Sequence, residues 1–403
     1  MAGIVVVGAG QAGASVVAKL RALEYAGEIT LIGDEPSPPY QRPPLSKKYL
    51  LGELELERMY LRPPSFYAEN NITLATGEEV TSIVPGAKEI TTPERTIQYD
   101  HLVLATGSVP RRLPAAMGGD LEGVYLVRGL SDVDAMAPEF REGAHVLIVG
   151  GGYIGLEAAA VAAKKGLKVT LIEMADRILK RVASPETSDF FRDLHAGHGV
   201  DIRESTGLER LIGTTRVTGA ELAGGDTLDV DFVIVGVGID PATDLAAMAK
   251  LDLDNGIKTD EQGRTSDPHI WAAGDCASFP FRGDRVRLES VPNAHDMAEV
   301  VAENIMGAGK TYVAQPWFWS DQYDVKLQIA GLNTGYNHVV SRPDGKGKGM
   351  SFWYFRDDEL LAVDAANEPR AYMVGKRLID AGKSPTPDQI ADMGLELKTL
   401  LKA

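Results

Sequence analysis

The beginning of the chain alternates between fully apolar runs and a segment in which apolar side chains recur at helical spacing. Residues 4–7 and 29–32 are apolar and rich in β-branched side chains, which predicts two buried strands. Residues 14–26 place apolar side chains three or four positions apart, with charged side chains between them, which predicts a helix. The order strand, helix, strand is typical of a parallel α/β unit.

The turn between the first strand and the helix has the pattern GxGxxG, formed by Gly8, Gly10 and Gly13. In dinucleotide-binding folds the first glycine makes the tight turn, the second lets a pyrophosphate approach the backbone, and the third lets the helix pack on the strand. Asp34 and Glu35 follow the second strand, where a carboxylate accepts hydrogen bonds from ribose hydroxyls. We therefore predict a dinucleotide site rather than a structural glycine-rich turn.

A second copy of this pattern begins at residue 145. Residues 145–149 form an apolar run, residues 156–165 are rich in alanine, and residues 168–172 form another apolar run that ends at Glu173. The glycines of the second GxGxxG pattern are Gly150, Gly152 and Gly155. A carboxylate at Glu173 binds a ribose 2′-hydroxyl and repels a 2′-phosphate, so we predict NADH rather than NADPH. The alternative is a solvated acid at a strand end.

Two dinucleotide sites in one chain suggest a flavin and a nicotinamide, a pair that moves a hydride onto the flavin. Two further strand ends fit this interpretation. One carries Ala105, Thr106 and Gly107; the other carries Gly274 and Asp275, whose carboxylate can accept a hydrogen bond from a ribityl hydroxyl. Because Gly-Asp turns are common, these strand ends support a cofactor site only in combination with the repeated glycine pattern.

Composition and charge limit the classes of function. The 403 residues include 41 Lys and Arg against 57 Asp and Glu, a net charge of −16, which argues against nucleic acid and anionic membranes as partners. The one cysteine, Cys276, allows neither a disulfide framework nor an intrachain redox dithiol. We find no signal peptide and no apolar run long enough to span a membrane, and we expect a cytoplasmic protein.

With these features in place, the chain resembles the FAD-dependent pyridine-nucleotide oxidoreductases of the glutathione-reductase fold. Within that group it is most similar to the bacterial NADH-dependent ferredoxin reductases of the putidaredoxin reductase and biphenyl dioxygenase reductase type. The resemblance covers essentially the whole chain. Its distinguishing stretches are residues 42–47 (RPPLSK), 150–157 (GGGYIGLE), 273–277 (AGDCA), 289–294 (ESVPNA) and 316–323 (PWFWSDQY).

The resemblance implies an FAD site and an NADH site, residue by residue. Beyond the first glycine pattern and the two strand ends, the positions implied to bind FAD are Ala12, Asp34, Glu35, Arg42, Lys47, Val80, Arg128, Asp275, Glu289, Val291 and Trp319. The positions implied to bind NADH are Gly152, Tyr153, Ile154, Glu157, Glu173 and Gly236. Where the dithiol relatives carry redox-active cysteines, this chain has PYQRPP at 39–44, so electrons are expected to leave the flavin directly.

Three residues are implied to act at the reacting atoms. Lys47 would place a cation near flavin N5 and O4, where it stabilises the anionic reduced ring. Glu157 would pair with Lys47 in the absence of nicotinamide and then hold the nicotinamide; the alternative is two ordinary surface charges. Trp319 would shield the flavin or lie on the electron exit route, or simply belong to the core. Cys276 is expected to be a small buried packing residue.

We predict an α/β protein with two Rossmann-like dinucleotide-binding domains of the glutathione-reductase type and a C-terminal α+β domain. The predicted domains are an FAD domain at 1–110 and 241–315, an NADH domain at 111–240, and a third domain at 316–403. In the third domain, strand-like segments are expected at 326–330, 351–355 and 360–363, and a helix near Pro387 with Thr386 as its N-cap. This domain would cover the flavin and contribute to ferredoxin docking.

The electron acceptor implied by the resemblance is a [2Fe-2S] ferredoxin that supplies a cytochrome P450 or a ring-hydroxylating dioxygenase. The net charge of −16 opposes simple attraction to an acidic ferredoxin, so docking needs a local basic patch. The candidates are Arg62, Arg285, Arg287, Lys310, Lys326, Lys346 and Lys348. Two alternatives stay open: a rubredoxin reductase, or an NADH-binding redox-sensing flavoprotein resembling apoptosis-inducing factor.

Two further expectations concern metals and assembly. His195 and His198 share helical spacing, but no cluster of carboxylates or cysteines accompanies them in the sequence, so we predict a helix-end surface and no metal site. The sequence leaves the oligomeric state open between a monomer and a weak homodimer.

Overall fold

A computed structural model describes residues 3–345, 347 and 349–402 of the chain. The chain divides into two compact units. Unit 1 comprises Met1–Arg42, Leu54–Val109 and Ile239–Gln315, and unit 2 comprises Pro43–Glu53, Pro110–Gly238 and Pro316–Ala403. In the part of the chain that is described, no helix combines the length and apolar character needed to cross a lipid bilayer.

The strands of the described residues are short and mostly buried on at least one face. In chain order they are β1 (Gly3–Val7), β2 (Ile29–Gly33), β3 (Ile72–Thr76), β4 (Ser82–Val84), β5 (Glu89–Thr91), β6 (Thr96–Leu104), β7 (Ser108–Pro110), β8 (Val124–Tyr125), β9 (His145–Val149), β10 (Lys168–Ile172), β11 (Asp201–Arg203), β12 (Leu208–Gly213), β13 (Val217–Leu222), β14 (Thr227–Asp229), β15 (Phe232–Val235), β16 (Ile239–Pro241), β17 (Ile257–Lys258), β18 (Ile270–Ala272), β19 (Ala277–Phe281), β20 (Asp284–Val286), β21 (Trp317–Gln322), β22 (Val325–Gly331), β23 (His338–Pro343), β24 (Met350–Arg356) and β25 (Glu359–Ala366).

The α-helices of the described residues lie mainly between these strands. They are α1 (Gln11–Ala22), α2 (Pro64–Glu69), α3 (Leu130–Met136), α4 (Tyr153–Lys164), α5 (Pro185–Gly197), α6 (Asp244–Met248), α7 (Val291–Ile305), α8 (Pro369–Asp380) and α9 (Pro387–Ala391). A wide helical turn of the π type covers Leu45–Tyr49, and within it Lys47 departs from helical dihedral angles. This turn carries one of the predicted site residues on a segment that the surrounding packing, not helix propensity, must hold.

The main sheet of unit 1 has β1 near its centre, with strand order β3-β2-β1-β6-β5-β4 and β18 paired with β6. The strands β3, β2, β1, β6 and β18 run parallel, while β5 and β4 extend the sheet antiparallel. Because the carboxyl ends of parallel strands meet at one edge, the segments after β1, β6 and β18 share that edge. This is the edge at which open α/β sheets bind their ligands.

A second parallel sheet lies in unit 2, with strand order β11-β10-β9-β15-β8. Its succession β11-β10-β9-β15 repeats the succession β3-β2-β1-β6 of unit 1, and α4 follows β9 as α1 follows β1. The internal repeat expected from the two glycine patterns is therefore a repeat of strand order and connection as well.

The C-terminal part of unit 2 forms an antiparallel sheet with strand order β21-β22-β25-β24-β23. Its core contains the fully buried Trp353 and Phe355, and α8 packs on β25 and β22. The three strand-like segments expected here are present as β22, β24 and β25. The expected N-cap is also present, since the Thr386 hydroxyl accepts a hydrogen bond from the Gln389 N–H. The strands β21 and β23 and the helix α8 were not predicted from the sequence.

Candidate functional site

The first glycine pattern has the geometry that its three positions predict. Gly8 has φ +111°, and a Cβ there would lie 2.1 Å from the Ala105 carbonyl oxygen. A Cβ on Gly13 would lie 2.0 Å from the Gly8 carbonyl oxygen, so the start of α1 packs directly on the turn. By contrast, a Cβ on Gly10 would have no protein atom within 4 Å. Packing within the fold therefore does not require glycine at position 10, and the open space beside it can hold a phosphate group.

The other predicted strand ends of unit 1 meet this turn. The Thr106 hydroxyl donates to the Ala242 carbonyl over 2.7 Å, and the Ser108 hydroxyl donates to Asp275 Oδ2 over 3.1 Å. Gly274 has φ +83°, and a Cβ on it would lie 3.1 Å from the Ala12 Cβ. The ends of β1, β6 and β18 thus form one continuous cradle at the carboxyl edge of the sheet.

The acidic residues after β2 differ in their surroundings. Glu35 accepts hydrogen bonds from the Tyr40 hydroxyl and from an Arg42 guanidinium nitrogen, each over 2.5 Å. The Arg42 guanidinium also lies 5.3 Å from the centre of the Tyr40 ring. The neighbouring Asp34 is exposed. Asp34 is therefore the freer of the two carboxylates, and Glu35 is part of a small polar cluster with Arg42.

The remaining predicted unit 1 residues lie on two loops. Val80 is buried. Glu289 pairs with Arg287 over 2.6 Å, and Val291 opens α7, whose N-cap Ser290 accepts a hydrogen bond from the Asn293 N–H. A Cβ on Gly274 would also lie 3.6 Å from the Cβ of Ala294 in the first turn of α7. The amino end of α7 is therefore next to the cradle.

The second glycine pattern repeats this geometry in unit 2. Gly150 has φ +110°, and a Cβ there would lie 2.4 Å from the Gly236 carbonyl oxygen. A Cβ on Gly155 would lie 2.1 Å from the Gly150 carbonyl oxygen, whereas a Cβ on Gly152 would have no protein atom within 4 Å. The two turns thus share the same close contacts and the same open position.

Glu173 lies against the second glycine turn. One carboxylate oxygen accepts a hydrogen bond from the Gly151 N–H over 2.7 Å, and the other accepts from the Ala175 N–H over 2.8 Å. The carboxylate is therefore fixed by the backbone rather than freely solvated. It presents its remaining lone pairs beside the turn, where a ribose hydroxyl of a bound dinucleotide lies.

Lys47 and Glu157 form an ion pair within unit 2. Lys47 Nζ lies 3.0 Å from Glu157 Oε1, and the side chains are 13% and 4% exposed. Glu157 also accepts hydrogen bonds from the Ser46 and Ser320 hydroxyls, each over 2.7 Å. Burial raises the pKa of Glu157, while Lys47 and the two hydroxyls act to lower it. The alternative of two ordinary surface charges is wrong, because both groups are largely withdrawn from solvent.

Aromatic side chains occur on α4 and β21, the two elements that carry Glu157 and its partner Ser320. Tyr153, on α4, lies 5.1 Å from Phe318 between ring centres, and its hydroxyl is buried without a hydrogen-bond partner among the described residues. Trp319 stacks on Trp317 at 5.6 Å and is half-buried. Ile154 is 44% exposed beside the glycine turn. The orphaned Tyr153 hydroxyl marks a polar atom that a bound dinucleotide can satisfy.

Lys47, Arg128 and Trp319 belong to unit 2, whereas the other residues predicted to bind FAD belong to unit 1. The backbone N–H of Arg128 donates to Asp132 Oδ2 over 3.1 Å at the start of α3. Within unit 2, the structure brings Lys47 and Glu157 together directly. The cofactor-binding roles of all these residues remain predictions.

The sequence analysis missed several polar neighbours of the site. Ser46 and Ser320 contact Glu157, and Asp321 lies 3.6 Å from Lys47. All three occur in the distinguishing stretches RPPLSK and PWFWSDQY, so the motif positions were visible but their mutual contacts were not. The helix-end surface expected for His195 is wrong, because that side chain is fully buried, whereas His198 is exposed as expected. Cys276 is buried and free as expected.

The residues present fit two dinucleotides. Each glycine turn combines one open position with two positions where any Cβ would collide with backbone. Each open position, Gly10 and Gly152, is also the N-cap of a 12-residue helix. Free N–H groups and the positive end of a helix dipole suit a pyrophosphate. The fit is thus carried by backbone geometry, independently of any side chain.

Known proteins resemble this chain over nearly its whole length. The family model described as pyridine nucleotide-disulphide oxidoreductase matches residues 2–298, and the model described as reductase C-terminal matches residues 317–401. A 5,5'-dehydrodivanillate O-demethylase ferredoxin reductase subunit from Sphingobium sp. is 43% identical, covering 99% of this chain and 98% of the relative. Putidaredoxin reductase from Pseudomonas putida is 40% identical, covering 99% and 97%.

A solved structure is similar over the whole chain. The putidaredoxin reductase chain of a covalent complex with putidaredoxin superposes with a TM-score of 0.96 at 39% identity, covering 100% of this chain and 98% of that chain. The predicted fold class is confirmed, and so is the prediction of an oxidoreductase that uses FAD and NAD(H). The chain belongs to the pyridine nucleotide-disulphide oxidoreductase family and carries its reductase C-terminal domain.

Proposed function

We propose that the protein is an NADH-dependent ferredoxin reductase. Its electron acceptor is a [2Fe-2S] ferredoxin that supplies a cytochrome P450 or a ring-hydroxylating dioxygenase. The observation that carries the proposal is the buried Lys47–Glu157 pair, in which Glu157 lies on the helix that begins at the second glycine turn. Bound FAD supplies the conversion of one hydride, a two-electron donation, into two successive one-electron transfers.

The nicotinamide-binding residues act from one helix. Gly152 caps α4 and Glu157 lies five residues further along, a distance of about 7.5 Å along the helix axis at about 1.5 Å per residue. A dinucleotide with its pyrophosphate at Gly152 would have its nicotinamide end within reach of Glu157. Glu157 orients that end, and Lys47 supplies the positive charge that favours negative charge developing beside it.

The preference for NADH rests on Glu173. Its carboxylate is held beside the glycine turn by two backbone N–H groups. In that position it accepts hydrogen bonds from ribose hydroxyls and repels a 2′-phosphate. The nearest arginine in the sequence, Arg177, is engaged with the Ser184 carbonyl and the Ser188 hydroxyl. We therefore assign NADH as the electron donor.

Electron exit in this chain does not use sulfur. Cys276 is the one cysteine of the sequence, it is fully buried, and burial raises the pKa of its thiol. The half-buried Trp319 of β21 lies beside the residues that hold Glu157, and we assign it to the exit route or to shielding of the flavin. The three-domain division expected from the sequence, with residues 316–403 covering the flavin, is part of this proposal.

Fewer basic residues remain as candidates for ferredoxin docking than the sequence suggested. Arg287 is 10% exposed and pairs with Glu289, Arg285 donates to the Thr259 carbonyl, and Lys310 pairs with Glu303. Lys346 and Lys348 lie outside the described residues. Arg62, in unit 1, and Lys326, in unit 2, are exposed, and each is a separate candidate for ferredoxin docking. A cytoplasmic location also remains part of the proposal.

Charge reversal separates docking from flavin chemistry. Arg62→Glu and Lys326→Glu should each lower the rate of ferredoxin reduction about tenfold at low salt, with smaller effects as salt rises. NADH-dependent reduction of ferricyanide should stay unchanged. The matched control is Lys168→Glu, an exposed reversal at the amino end of β10, opposite the glycine turn. An equal fall in both activities would reject docking at these positions.

The same assays decide between the alternatives. A rubredoxin reductase would reduce rubredoxin faster than any [2Fe-2S] ferredoxin, and it has less support because the relatives described above are ferredoxin reductases. A redox-sensing flavoprotein would turn over ferricyanide slowly even with saturating NADH. Fast ferricyanide turnover together with ferredoxin reduction is the outcome that we expect.

A further inference from the structure

The edge strand β21 places a row of side chains against the helices of unit 2. Alternate residues of a strand point to the same face, and here they are the even-numbered ones. Each touches one helical residue: Phe318 meets Tyr153, Ser320 meets Glu157, and Gln322 meets His195. Two of these helical residues belong to α4 and the third to α5.

The polar members of this row form a continuous hydrogen-bonded chain. The Ser320 hydroxyl donates to Glu157 Oε1 over 2.7 Å. Gln322 Nε2 donates to the Ser320 Oγ over 3.2 Å, and Gln322 Oε1 lies 2.8 Å from His195 Nε2. Ser320, Gln322 and His195 are fully buried, and Glu157 is 4% exposed. The chain therefore runs through the protein interior.

Tyr323 ends the chain on the far side. Its hydroxyl lies 3.0 Å from His195 Nδ1, and its ring stacks on the exposed His198 with centres 3.7 Å apart. Tyr323 has φ +55°, in the left-handed region that disfavours an aromatic residue. The turn between β21 and β22 accepts this strained conformation, and the tyrosine hydroxyl reaches His195 from it.

The direction of every hydrogen bond in this hydrogen-bonded chain follows from the ionised state of Glu157 at one end. An ionised Glu157 only accepts, so the Ser320 hydrogen is used there and Ser320 can only accept from Gln322. The Gln322 amide must then present its NH2 to Ser320 and its oxygen to His195. His195 therefore carries its proton on Nε2, and Nδ1 accepts from the Tyr323 hydroxyl. All donors point toward Glu157.

The protonation states of the titratable groups along this hydrogen-bonded chain are consistent with the direction of its donors. Burial lowers the pKa of His195 to about 4, although the hydrogen bond with Gln322 acts to raise it and His198 acts to lower it, so the imidazole is neutral at physiological pH. Burial raises the pKa of Tyr323, so its hydroxyl keeps its hydrogen. At the other end, Glu157 faces Lys47, which Asp321 also approaches to 3.6 Å.

We propose that His195 and Gln322 are positioning residues for the nicotinamide step, acting on Glu157 through Ser320. Their hydrogen bonds hold the Ser320 hydroxyl as a donor, which keeps Glu157 ionised and paired with Lys47. This inference deepens the proposed function and rests on it for its kinetic consequence. The protonation states of His195 and Glu157 do not depend on which electron acceptor the enzyme uses.

The first test is the tautomer of His195. Purified flavoprotein labelled with 15N-histidine is measured by NMR at pH 7, and the His195 signals are assigned by comparison with His195→Gln. We expect a neutral ring protonated on Nε2. A ring protonated on Nδ1, or on both nitrogens, would overturn the proposed direction of the chain, whatever the enzyme's electron acceptor is.

The second test is the protonation of Glu157 in variants. The side-chain carboxyl signals of 13C-labelled glutamate are titrated in the oxidised flavoprotein, with Glu157 assigned from Glu157→Gln. Gln322→Met has nearly the same shape and adds no charge but carries no hydrogen-bond donor for Ser320, and His195→Leu removes the partner that orients Gln322. Each should raise the pKa of Glu157 by about one unit, because a lost hydrogen bond to the charged form raises it.

Two further variants separate positioning from general packing. His195→Gln keeps an N–H that can donate to Gln322, so it should restore the wild-type pKa of Glu157. Tyr354→Phe alters another buried polar cluster between α5 and the C-terminal sheet, in which the Tyr354 hydroxyl accepts from the Ser184 N–H. This control should leave the pKa of Glu157 unchanged. An equal shift in Tyr354→Phe, or no shift in Gln322→Met, would overturn the proposal.

The kinetic consequence distinguishes this inference from the proposed function. In Gln322→Met, the pH profile of flavin reduction by NADH should move upward by the same shift as the pKa of Glu157. A shifted pKa with an unchanged pH profile would leave the hydrogen-bonded chain intact but reject its part in the nicotinamide step. Failure to reduce any ferredoxin, with both shifts present, would reject the proposed acceptor alone.

Discussion

Lys47 Nζ lies 3.0 Å from Glu157 Oε1, and the two side chains approach from different kinds of element. Glu157 is on the regular helix α4, whereas Lys47 is at the point where a wide helical turn departs from helical dihedral angles. Lys47 also lies 3.6 Å from Asp321, so it has two carboxylate neighbours. In the described residues, Glu157 pairs with no second cation. The two partners therefore respond differently to mutation.

Lys47→Met should destabilise the protein more than Glu157→Gln. The first change leaves a buried carboxylate without its cation, and breaking a buried pair in this way costs about 3–5 kcal/mol. The second change leaves Lys47 beside Asp321, and glutamine can accept from one of the Ser46 and Ser320 hydroxyls and donate to the other. Chemical unfolding of the two variants at pH 7 measures the difference. Equal losses would show that Asp321 does not hold Lys47.

Both variants should lower the rate of flavin reduction by NADH, because both remove part of the charge arrangement around the nicotinamide. We expect at least a tenfold decrease, equivalent to about 1.4 kcal/mol of transition-state stabilisation. Rapid mixing with NADH under anaerobic conditions measures this rate directly. Wild-type rates in both variants would exclude the pair from the reaction.

Gly10→Ala and Gly152→Ala should fold normally but lose one dinucleotide each. A methyl group at either position meets no protein atom within 4 Å, and neither glycine has a positive φ. It does fill the space where the pyrophosphate approaches, so we expect weaker retention of FAD in Gly10→Ala. In Gly152→Ala we expect at least a tenfold weaker affinity for NADH. Flavin absorbance after purification and an NADH titration measure the two effects.

The control for this pair is Gly197→Ala, near the end of α5, where a Cβ also meets no protein atom within 4 Å. It should bind both dinucleotides as the wild type does. Gly13→Ala should behave differently from all three, because its Cβ would lie 2.0 Å from the Gly8 carbonyl oxygen, and it should therefore fold poorly. Normal FAD and NADH binding in Gly10→Ala and Gly152→Ala would contradict the assigned phosphate positions.

Glu173→Ala should reduce the preference for NADH over NADPH. The carboxylate that repels a 2′-phosphate and binds a 2′-hydroxyl is removed, so the ratio of kcat/KM for the two donors should fall at least tenfold. Part of any loss in NADH activity will come from the freed Gly151 and Ala175 N–H groups. The ratio, rather than either rate, is therefore the quantity to compare. An unchanged ratio would place the specificity elsewhere.

The stability of the protein should decrease as pH rises from about 4 to about 7, in part because of Asp364. This carboxyl is 1% exposed, accepts from the Tyr354 and Thr187 hydroxyls, and has a pKa raised by burial from 3.8 to about 7. In this pH window the folded state holds a proton that the unfolded state releases. Stability is then lost at about 1.4 kcal/mol per pH unit.

Asp364→Asn tests this effect. Asparagine keeps an oxygen that accepts from the Tyr354 hydroxyl but has no proton to exchange, so the decrease of stability between pH 4 and pH 7 should be smaller. Urea unfolding of both proteins across this range measures the two slopes. Parallel curves would show that Asp364 is ionised in the folded state throughout.

The dinucleotide folds could be predicted from the sequence because each rests on local rules. The apolar runs, the three glycines and the following acid lie close together in the chain, and the pattern occurs twice. Backbone collision at Gly8 and Gly13 leaves no other residue type suitable, so glycine itself reports the geometry. The strand order and the carboxyl-edge cradle follow from these units.

The polar chain behind Glu157 could not be predicted, because its members come from segments far apart in sequence. His195 is on α5, Gln322 is on β21, and each is an ordinary polar residue in its own segment. A histidine near a helix end with no acidic neighbour looks like a surface residue. Only the packing of β21 on α4 and α5 buries it and gives it a partner.

The most direct measurement is stopped-flow reduction of the purified flavoprotein, first by NADH and by NADPH in separate experiments, then with an oxidised [2Fe-2S] ferredoxin. We expect fast loss of flavin absorbance with NADH, slow loss with NADPH, and then reduction of the ferredoxin. Fast flavin reduction without electron transfer to any [2Fe-2S] ferredoxin would contradict the proposed acceptor. A purified protein that holds no flavin would contradict the proposed function as a whole.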